Sequence, residues 1–422
     1  MERFLIKGFD SKGVRGKINC SGAKNAVLPL MASSILFNDT ITLKNVPLGT
    51  NDVKTMVVLL KSLGSKVQII KKKKILKITN KKKHKLLVKY KYISTMRAGV
   101  LVMGALLGKY NKCITALSGG CSLGPRPIGF HLTGFKKLNC KYYLKQGYIN
   151  ILAKNGIKGG LYSFPKVSVT GTSNLIMASV LANGKTILKN ISIEPEVLDL
   201  IKFLKGGGAK INFIGKRTIK IYGVKNLEGH SHEVIGDRIE AFSYLCTAAI
   251  TKGKIKVDKI NSKYLEAELK VLKNIGCNIK VSKYSIELSR KKKLKQAKIK
   301  TSPFPGFATD CMPMLMAVLT KSNGKSVIEE KIFTNRYMAA PELVRMGATI
   351  NIKGSKATII GKTKLNGADC ISSDLRSTFA IILAAMAAEG TSCIRRVYHG
   401  LRGYSNLYNN LKKIGVNIKR KS

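Results

Sequence analysis

Six times along this chain a short polar cluster opens an apolar, alanine-rich run that has the length of a buried helix. The openings are Ser21-Gly22-Ala23-Lys24-Asn25, Thr95-Met96-Arg97, Gly171-Thr172-Ser173-Asn174, Gly236-Asp237-Arg238, Ala308-Thr309-Asp310 and Asp374-Leu375-Arg376. The runs that follow, such as Ala26 to Leu36 and Phe379 to Ala388, hold too few charges to lie on a surface, so each is expected to be packed all round. A helix buried in this way shows only its ends. Its N-terminal end has unpaired N–H groups and a partial positive charge, which makes it a natural anion site. Six such ends bearing Lys, Arg, Asn and Asp are expected to be the parts of one polar cleft.

A second element recurs in step with the first. An amphipathic stretch usually ends in an apolar residue, then Gly, then a short strand-like run: Leu63-Gly64, Gly208-Ala209-Lys210-Ile211, Ile275-Gly276, Met346-Gly347 and Ile414-Gly415, with Leu138-Asn139 as a sixth copy. Gly and Asn both tolerate the left-handed conformation that closes a helix. The copies recur at roughly 70 residues, longer than the common solenoid periods, so each unit is read as a small α/β subdomain with a buried helix, a surface helix and several strands. Six units over 422 residues suggest two domains of three units each. The expected linker is Gly229 to Glu233, where Gly, His and Ser gather. Phe4-Leu5-Ile6 and Ile18-Asn19-Cys20 read as strands that periodicity alone does not assign to a domain.

The formal net charge of +54 would attract polyanions, which makes a nucleic-acid binder the first thought. The lysine runs at Lys71 to Lys74, Lys81 to Lys83 and Arg290 to Lys293 fall where turns or exposed strands are expected. They are not interleaved with aromatics, and the chain has no Trp. They are read as solvated faces, and no specific nucleic-acid partner is expected. Nine cysteines without a Cys-x-x-Cys pair or a secretory leader point to reduced thiols and a cytoplasmic location. No apolar run is smooth and long enough to span a bilayer. No Cys or carboxylate completes a plausible metal set with His230-Ser231-His232, so neither a metal nor a cofactor is expected.

The most pointed local signal is Ser118-Gly119-Gly120-Cys121-Ser122-Leu123-Gly124-Pro125-Arg126-Pro127. Its glycines and prolines forbid a helix or central strand and place Cys121 on a loop. A thiol beside Arg126 in so positive a chain is expected to ionise below the free value of about 8.5. The alternative is a plain flexible loop. This loop resembles, together with Ser21-Gly22-Ala23-Lys24-Asn25-Ala26, Gly236 to Glu240, Asn335-Arg336 with Pro341-Glu342-Leu343, Asp374-Leu375-Arg376 and Arg402-Gly403-Tyr404, the UDP-N-acetylglucosamine 1-carboxyvinyltransferase family. The resemblance runs from about Phe4 to Arg420. It implies an α/β fold of two inside-out α/β barrels, each built from three repeats with buried helices. The expected boundaries are residues 22–233 for one domain, with the Cys121 loop, and 1–21 with 234–422 for the other.

The same resemblance implies the transfer of enolpyruvate from phosphoenolpyruvate to the 3-hydroxyl of UDP-N-acetylglucosamine, the first committed step of peptidoglycan synthesis. Small anions of this kind need fixed cations and helix N-termini, and arginine binds them through its planar fork. By the resemblance Lys24, Asn25, Arg126, Arg336, Arg376 and Arg402 hold phosphoenolpyruvate. Arg97, the stretch Arg126, Pro127, Ile128, Gly129 and Phe130, the stretch Lys166, Val167, Ser168 and Val169, Asp310 and Ile332 hold the nucleotide sugar. Cys121 supplies a proton to C3 or adds covalently. Asp310 acts on the hydroxyl as a weak, ionised base, with Lys24 and Arg402 also in catalytic roles.

Three positions depart from the family pattern. Gly129 stands where an acidic residue is common, Thr170-Gly171 replaces Gly-Ala, and Leu401 replaces an acidic residue before Arg402. Taken without the family, Lys166 to Val169 reads as an ordinary strand. The nearest rival is enolpyruvylshikimate-phosphate synthase, which shares the fold and the transfer but lacks the cysteine loop. A cationic nucleic-acid-binding protein without catalysis is the rival from another class.

Overall fold

A computed structural model of the chain describes residues 2–9, 13–81, 83–116 and 128–421, the Arg97 side chain excepted. The described residues form two compact units, one made of those up to Ser21 together with Gly236 onward, the other of those between Gly22 and Ile235. Both are mixed α/β, and each has its own continuous apolar core.

One pattern repeats throughout. In the third repeat a short strand, Leu161–Ser163, leads into the interior helix Val169–Ser179 and then to Lys185–Lys189, which pairs with the first strand in parallel. The surface helix Pro195–Gly206 follows, and the hairpin Lys210–Gly215 with Thr218–Tyr222 completes the sheet through antiparallel pairing. Among the described residues six four-stranded sheets have this order, three in each unit, with a further two-stranded pair of Leu294–Lys295 and Ser322–Asn323.

Two sheets borrow their first strand from a distant stretch of chain. Ser231–Glu233 runs parallel to Ile41–Lys44, and Arg15–Asn19 runs parallel to Lys254–Asp258. In a third sheet, Arg3–Lys7 sits between Thr391–Arg395 and Asn417–Lys421, antiparallel to both. These pairings place the two N-terminal strands that periodicity left unassigned. They also correct the linker: residues 231–233 are strand, and the chain passes between units at Ile235 and Gly236 instead. His232 points inward to Asp199 at 2.9 Å while Ser231 and Glu233 are exposed, so a polar composition hid a period of two.

The interior helices are Lys24–Ser33, Val102–Tyr110, Val169–Ser179, Arg238–Thr251, Met312–Leu319 and Leu375–Ala387. Every residue of Arg238–Thr251 is buried, as its lack of a polar stripe requires. Where Val102–Tyr110 crosses Val169–Ser179 the backbones nearly touch: a Cβ on Gly104 would stand 2.2 Å from the Asn174 carbonyl oxygen. Glycine is therefore the only residue that fits this crossing. The third interior helix begins at Val169, two residues before the Gly171 cluster expected to open it.

The outer helices end as the pattern requires. Gly64, Asn139, Gly208, Gly276, Gly347 and Gly415 all take positive φ, from 67° at Asn139 to 117° at Gly64. Lys71 to Lys74 form the exposed turn of a hairpin. The run Arg290 to Lys293 is exposed only in its lysines, because Arg290 is buried and donates to the Ile250 carbonyl at 3.1 Å. The eight described cysteines are free and buried; burial pushes the thiols of Cys140, Cys277 and Cys370 up to about 12. Among the described residues no helix is long and apolar enough to cross a membrane.

Candidate active site

In the unit that contains both chain ends, three interior-helix N-termini meet. Asp237 caps one by accepting from the backbone N–H groups of Ile239 and Glu240, at 2.9 and 3.0 Å. Asp374 caps another through the N–H groups of Arg376 and Ser377, at 2.7 and 3.1 Å. These aspartates satisfy orphan donors and complement the helix dipole. The third start is the 3-10 turn Thr309–Cys311, which places Asp310 beside Arg336 and Arg376.

Each oxygen of Asp310 engages one guanidinium. Arg336 donates to Oδ1 at 2.6 Å and also holds the Thr309 carbonyl at 3.1 Å, while Arg376 donates to Oδ2 at 3.0 and 3.3 Å. The two arginine side chains are 2 % and 3 % exposed; Asp310 is 28 % exposed, so this charge cluster opens to solvent through its carboxylate. Burial works against the Arg376 charge, but Asp310, Tyr404 and Asp237 together reverse that and hold the guanidinium above its ordinary value. Arg376 also lies over the Tyr404 ring, 5.5 Å from its centroid, and the Tyr404 hydroxyl bonds Ser243 of the Arg238 helix at 2.8 Å. Burial pushes that phenol up to about 12, so it serves as a neutral hydrogen-bonding group.

Glu330 fixes this arrangement from below. Its buried carboxylate accepts from the hydroxyls of Thr301 and Thr309 at 2.9 and 2.8 Å, and from the backbone N–H groups of Ile332 and Phe333 at 2.7 and 3.1 Å. The turn before Asp310 and the loop that leads through Ile332 to Arg336 are therefore held by one side chain. Arg402 ends the 3-10 stretch Val397–Arg402 and is half-buried, and Leu401 packs on the apolar core.

The other unit is organised around fewer charges. Lys24 is the first residue of its interior helix and is buried, its ammonium 3.1 Å from Asp52 Oδ2; Asn25 beside it is half-buried. Arg97 opens the 3-10 turn Arg97–Leu101, which packs against both Lys24–Ser33 and Val169–Ser179. Ile128 is buried at the N-cap position of helix Gly129–Lys137, Gly129 is exposed and Phe130 is half-buried. Lys166 is exposed in a bend, and Val167 and Ser168 follow in extended chain. Ser168 caps the next helix by accepting from Gly171 N–H at 3.2 Å, and Val169 is exposed at its start. A strand over Lys166 to Val169, the reading made without the family, is thus replaced by a bend and a cap. Cys121, Arg126 and Pro127 lie outside the described residues.

Two neutral side chains join three of these segments. Asn174 accepts from Gly104 N–H at 2.8 Å and donates to the Val100 carbonyl at 3.0 Å and to His131 Nδ1 at 2.9 Å. The other ring nitrogen of His131 faces the Thr170 hydroxyl at 3.3 Å.

Residues 10–411 match the family model described as EPSP synthase (3-phosphoshikimate 1-carboxyvinyltransferase). Over 415 residues the chain is 46% identical to a UDP-N-acetylglucosamine 1-carboxyvinyltransferase of Pelagibacter ubique (strain HTCC1062), covering 98% of this chain and 99% of that one. A relative of the same name from Campylobacter jejuni (strain RM1221) is 44% identical, over 96% of each chain. The chain belongs to the UDP-N-acetylglucosamine 1-carboxyvinyltransferase family. The enolpyruvyl transferase NikO from Streptomyces tendae has the same fold, with a TM-score of 0.89 at 18% identity over 100% of this chain and 99% of that one. An EPSP synthase from Acinetobacter baumannii superposes with a TM-score of 0.77, also at 18% identity, covering 100% of both chains.

Membership in this family gives the clustered arginines and Lys24 a context, but two supports of these site residues have no local signature in the sequence. Asp52 lies 28 positions from Lys24 and Glu330 lies 20 from Asp310, so neither partnership has a local pattern. A signal for Glu330 was nevertheless present. It is one of only 22 acidic residues in a chain with 76 basic ones, and it falls shortly before Asn335-Arg336.

Proposed function

We propose that the chain transfers the enolpyruvyl group of phosphoenolpyruvate to the 3-hydroxyl of UDP-N-acetylglucosamine and releases phosphate. The observation that supports this most is the Asp310 carboxylate held between Arg336 and Arg376, beside the capped starts of two further interior helices, in a chain with full-length relatives of that name. The proposal includes the fold of the family in its finer form, two inside-out α/β barrels of three repeats each, with residues 22–233 and 1–21 with 234–422 as domains. It also includes a cytoplasmic location and, as substrates, phosphoenolpyruvate and the nucleotide sugar.

The reaction is an addition followed by an elimination. The sugar oxygen forms a bond to C2 of phosphoenolpyruvate as C3 gains a proton and the hydroxyl loses one, giving a tetrahedral ketal. Loss of a proton from C3 and departure of phosphate from C2 then leave the enol ether. Lys24, Asn25, Arg126, Arg336, Arg376 and Arg402 bind the carboxylate and phosphate, stabilising their charge electrostatically. Asp310 orients and polarises the hydroxyl, since a carboxylate flanked by two guanidinium groups is a weak proton acceptor. Cys121 serves C3 as acid or as nucleophile. Arg97, Arg126 to Phe130, Lys166 to Val169 and Ile332 contact the nucleotide sugar.

The acceptor is tested by incubating the chain with phosphoenolpyruvate and either UDP-N-acetylglucosamine or shikimate 3-phosphate, and measuring phosphate. Release with the nucleotide sugar alone is expected; release with the shikimate compound alone would replace this reading with the rival synthase. Replacing Cys121 by Ala should abolish turnover at neutral pH while nucleotide-sugar binding persists.

A further inference from the structure

We infer that Thr170, His131 and Asn174 form a positioning relay for the nucleotide-sugar subsite, a role that rests on the reading just given. Three separate stretches are assigned to that substrate: the Arg97 turn, the start of helix Gly129–Lys137, and the Ser168-capped start of Val169–Ser179. They are distant in sequence and belong to different secondary-structure elements. The relay is what bonds all three to one another.

Its hydrogen bonds can be followed atom by atom. The Asn174 amide nitrogen has two protons; one goes to the Val100 carbonyl in the Arg97 turn, the other to His131 Nδ1. Nδ1 therefore accepts, which leaves the neutral ring with its proton on Nε2, directed at the Thr170 hydroxyl. The Asn174 oxygen takes the N–H of Gly104, one of the donors that the start of an interior helix leaves without an internal partner. Asn174 is fully buried and His131 nearly so, so the three bonds of Asn174 do not exchange readily with water, while the Thr170 bond is part-buried. The Gly104 contact with the Asn174 backbone removes the freedom to slide one helix past the other.

The relay also accounts for a departure from the family pattern. Thr170 stands where the resemblance expects Gly, a residue that could not engage His131. Gly129, two residues before His131, lacks the expected acidic side chain, although a Cβ there would meet nothing within 4 Å. The chain has lost a charged group that space permits and gained a neutral bond that fixes the same helix start. The three side chains act through Arg97, Phe130 and Val169, and do not themselves touch substrate.

The experiment is steady-state kinetics on the intact protein with both substrates varied, together with equilibrium binding of UDP-N-acetylglucosamine alone. Asn174→Ala is expected to raise the dissociation constant and KM for the nucleotide sugar about tenfold and Thr170→Val about threefold, as for loss of one or two net hydrogen bonds. kcat and the KM for phosphoenolpyruvate should stay within about twofold, and Thr170→Ser should restore the parent values. If Asn174→Ala does not fold, Thr170→Val and Thr170→Ser decide the matter alone. Unchanged nucleotide-sugar affinity in Thr170→Val, whatever its melting temperature, would overturn the relay. So would a fall in kcat with both KM values intact. A parent protein that binds no UDP-N-acetylglucosamine would instead defeat the reading beneath it, an outcome seen before any variant is made.

Discussion

The two units solve the same problem, the fixing of interior-helix starts, with opposite chemistry. Around Asp310 the work is done by charge: two buried guanidinium groups share one half-open carboxylate, and Glu330 clamps the loops on which they depend. Around Asn174 it is done by neutral donors and acceptors that water does not reach. A charged cluster that opens to solvent can exchange partners with an ionic substrate, whereas a sealed neutral network can only hold shape. The first suits a place where bonds change, the second a place where a substrate is recognised and left unaltered.

The comparison is broken most severely at its charged end. Asp310→Ala removes the group assigned to the hydroxyl and leaves Arg336 and Arg376 without their shared carboxylate. kcat is expected to fall by about a thousandfold or more, the scale of a lost preorganised electrostatic group. Lys24→Ala should lower kcat/KM for phosphoenolpyruvate by at least about a hundredfold and also reduce stability, since Asp52 is left as a buried carboxylate without that ammonium. Steady-state kinetics read both losses, and a thermal melt reads the second effect of Lys24→Ala.

Glu240 sharpens the contrast, because it is a buried carboxylate whose hydrogen bonds come from the Ser21 N–H and hydroxyl and the Cys20 thiol rather than from guanidinium groups. Burial first, and then Asp237, push it up to about 7 from its ordinary 4.5. A carboxyl raised in the fold favours its protonated form, so its stabilising contribution is whole below pH 4.5 and is lost as pH climbs toward and past 7. That loss amounts to about 3 kcal/mol. Urea unfolding of Glu240→Gln should lack this decline between pH 5 and 8; an identical decline in both proteins would remove Glu240 as its source.

The smallest effect is expected where charge is used only to position. Glu330→Gln keeps the shape but turns one acceptor into a donor facing hydroxyls or backbone N–H groups, and should cost about 1–3 kcal/mol of stability and roughly tenfold in kcat. Parallel pH–rate profiles would separate this from a direct role, because a positioning residue scales the profile without moving it.

Regular features of this molecule were legible, and long-range ones were not. The six apolar runs and the six left-handed closing residues are local consequences of period and backbone freedom, so Gly64 or Asn139 can be read in place. His232 could not, since its inward turn depends on Asp199, a residue 33 positions away. Lys166 to Val169 looked like strand because β-branched residues alternate with polar ones there; the Ser168 cap overrode that preference. Arg290 was hidden in a lysine run, although a guanidinium that reaches the Ile250 carbonyl behaves unlike its solvated neighbours. Among site residues, those with a motif were nameable, while Asp52, Glu330 and the partners of Asn174 act across folds of chain that only packing brings together.

The most direct test of the whole account is proton NMR of the product formed from phosphoenolpyruvate and UDP-N-acetylglucosamine. The account requires a pair of vinyl proton signals from a new enol ether, growing one for one with released phosphate. Phosphate released without those signals, or neither from a folded protein that binds both substrates, would contradict it.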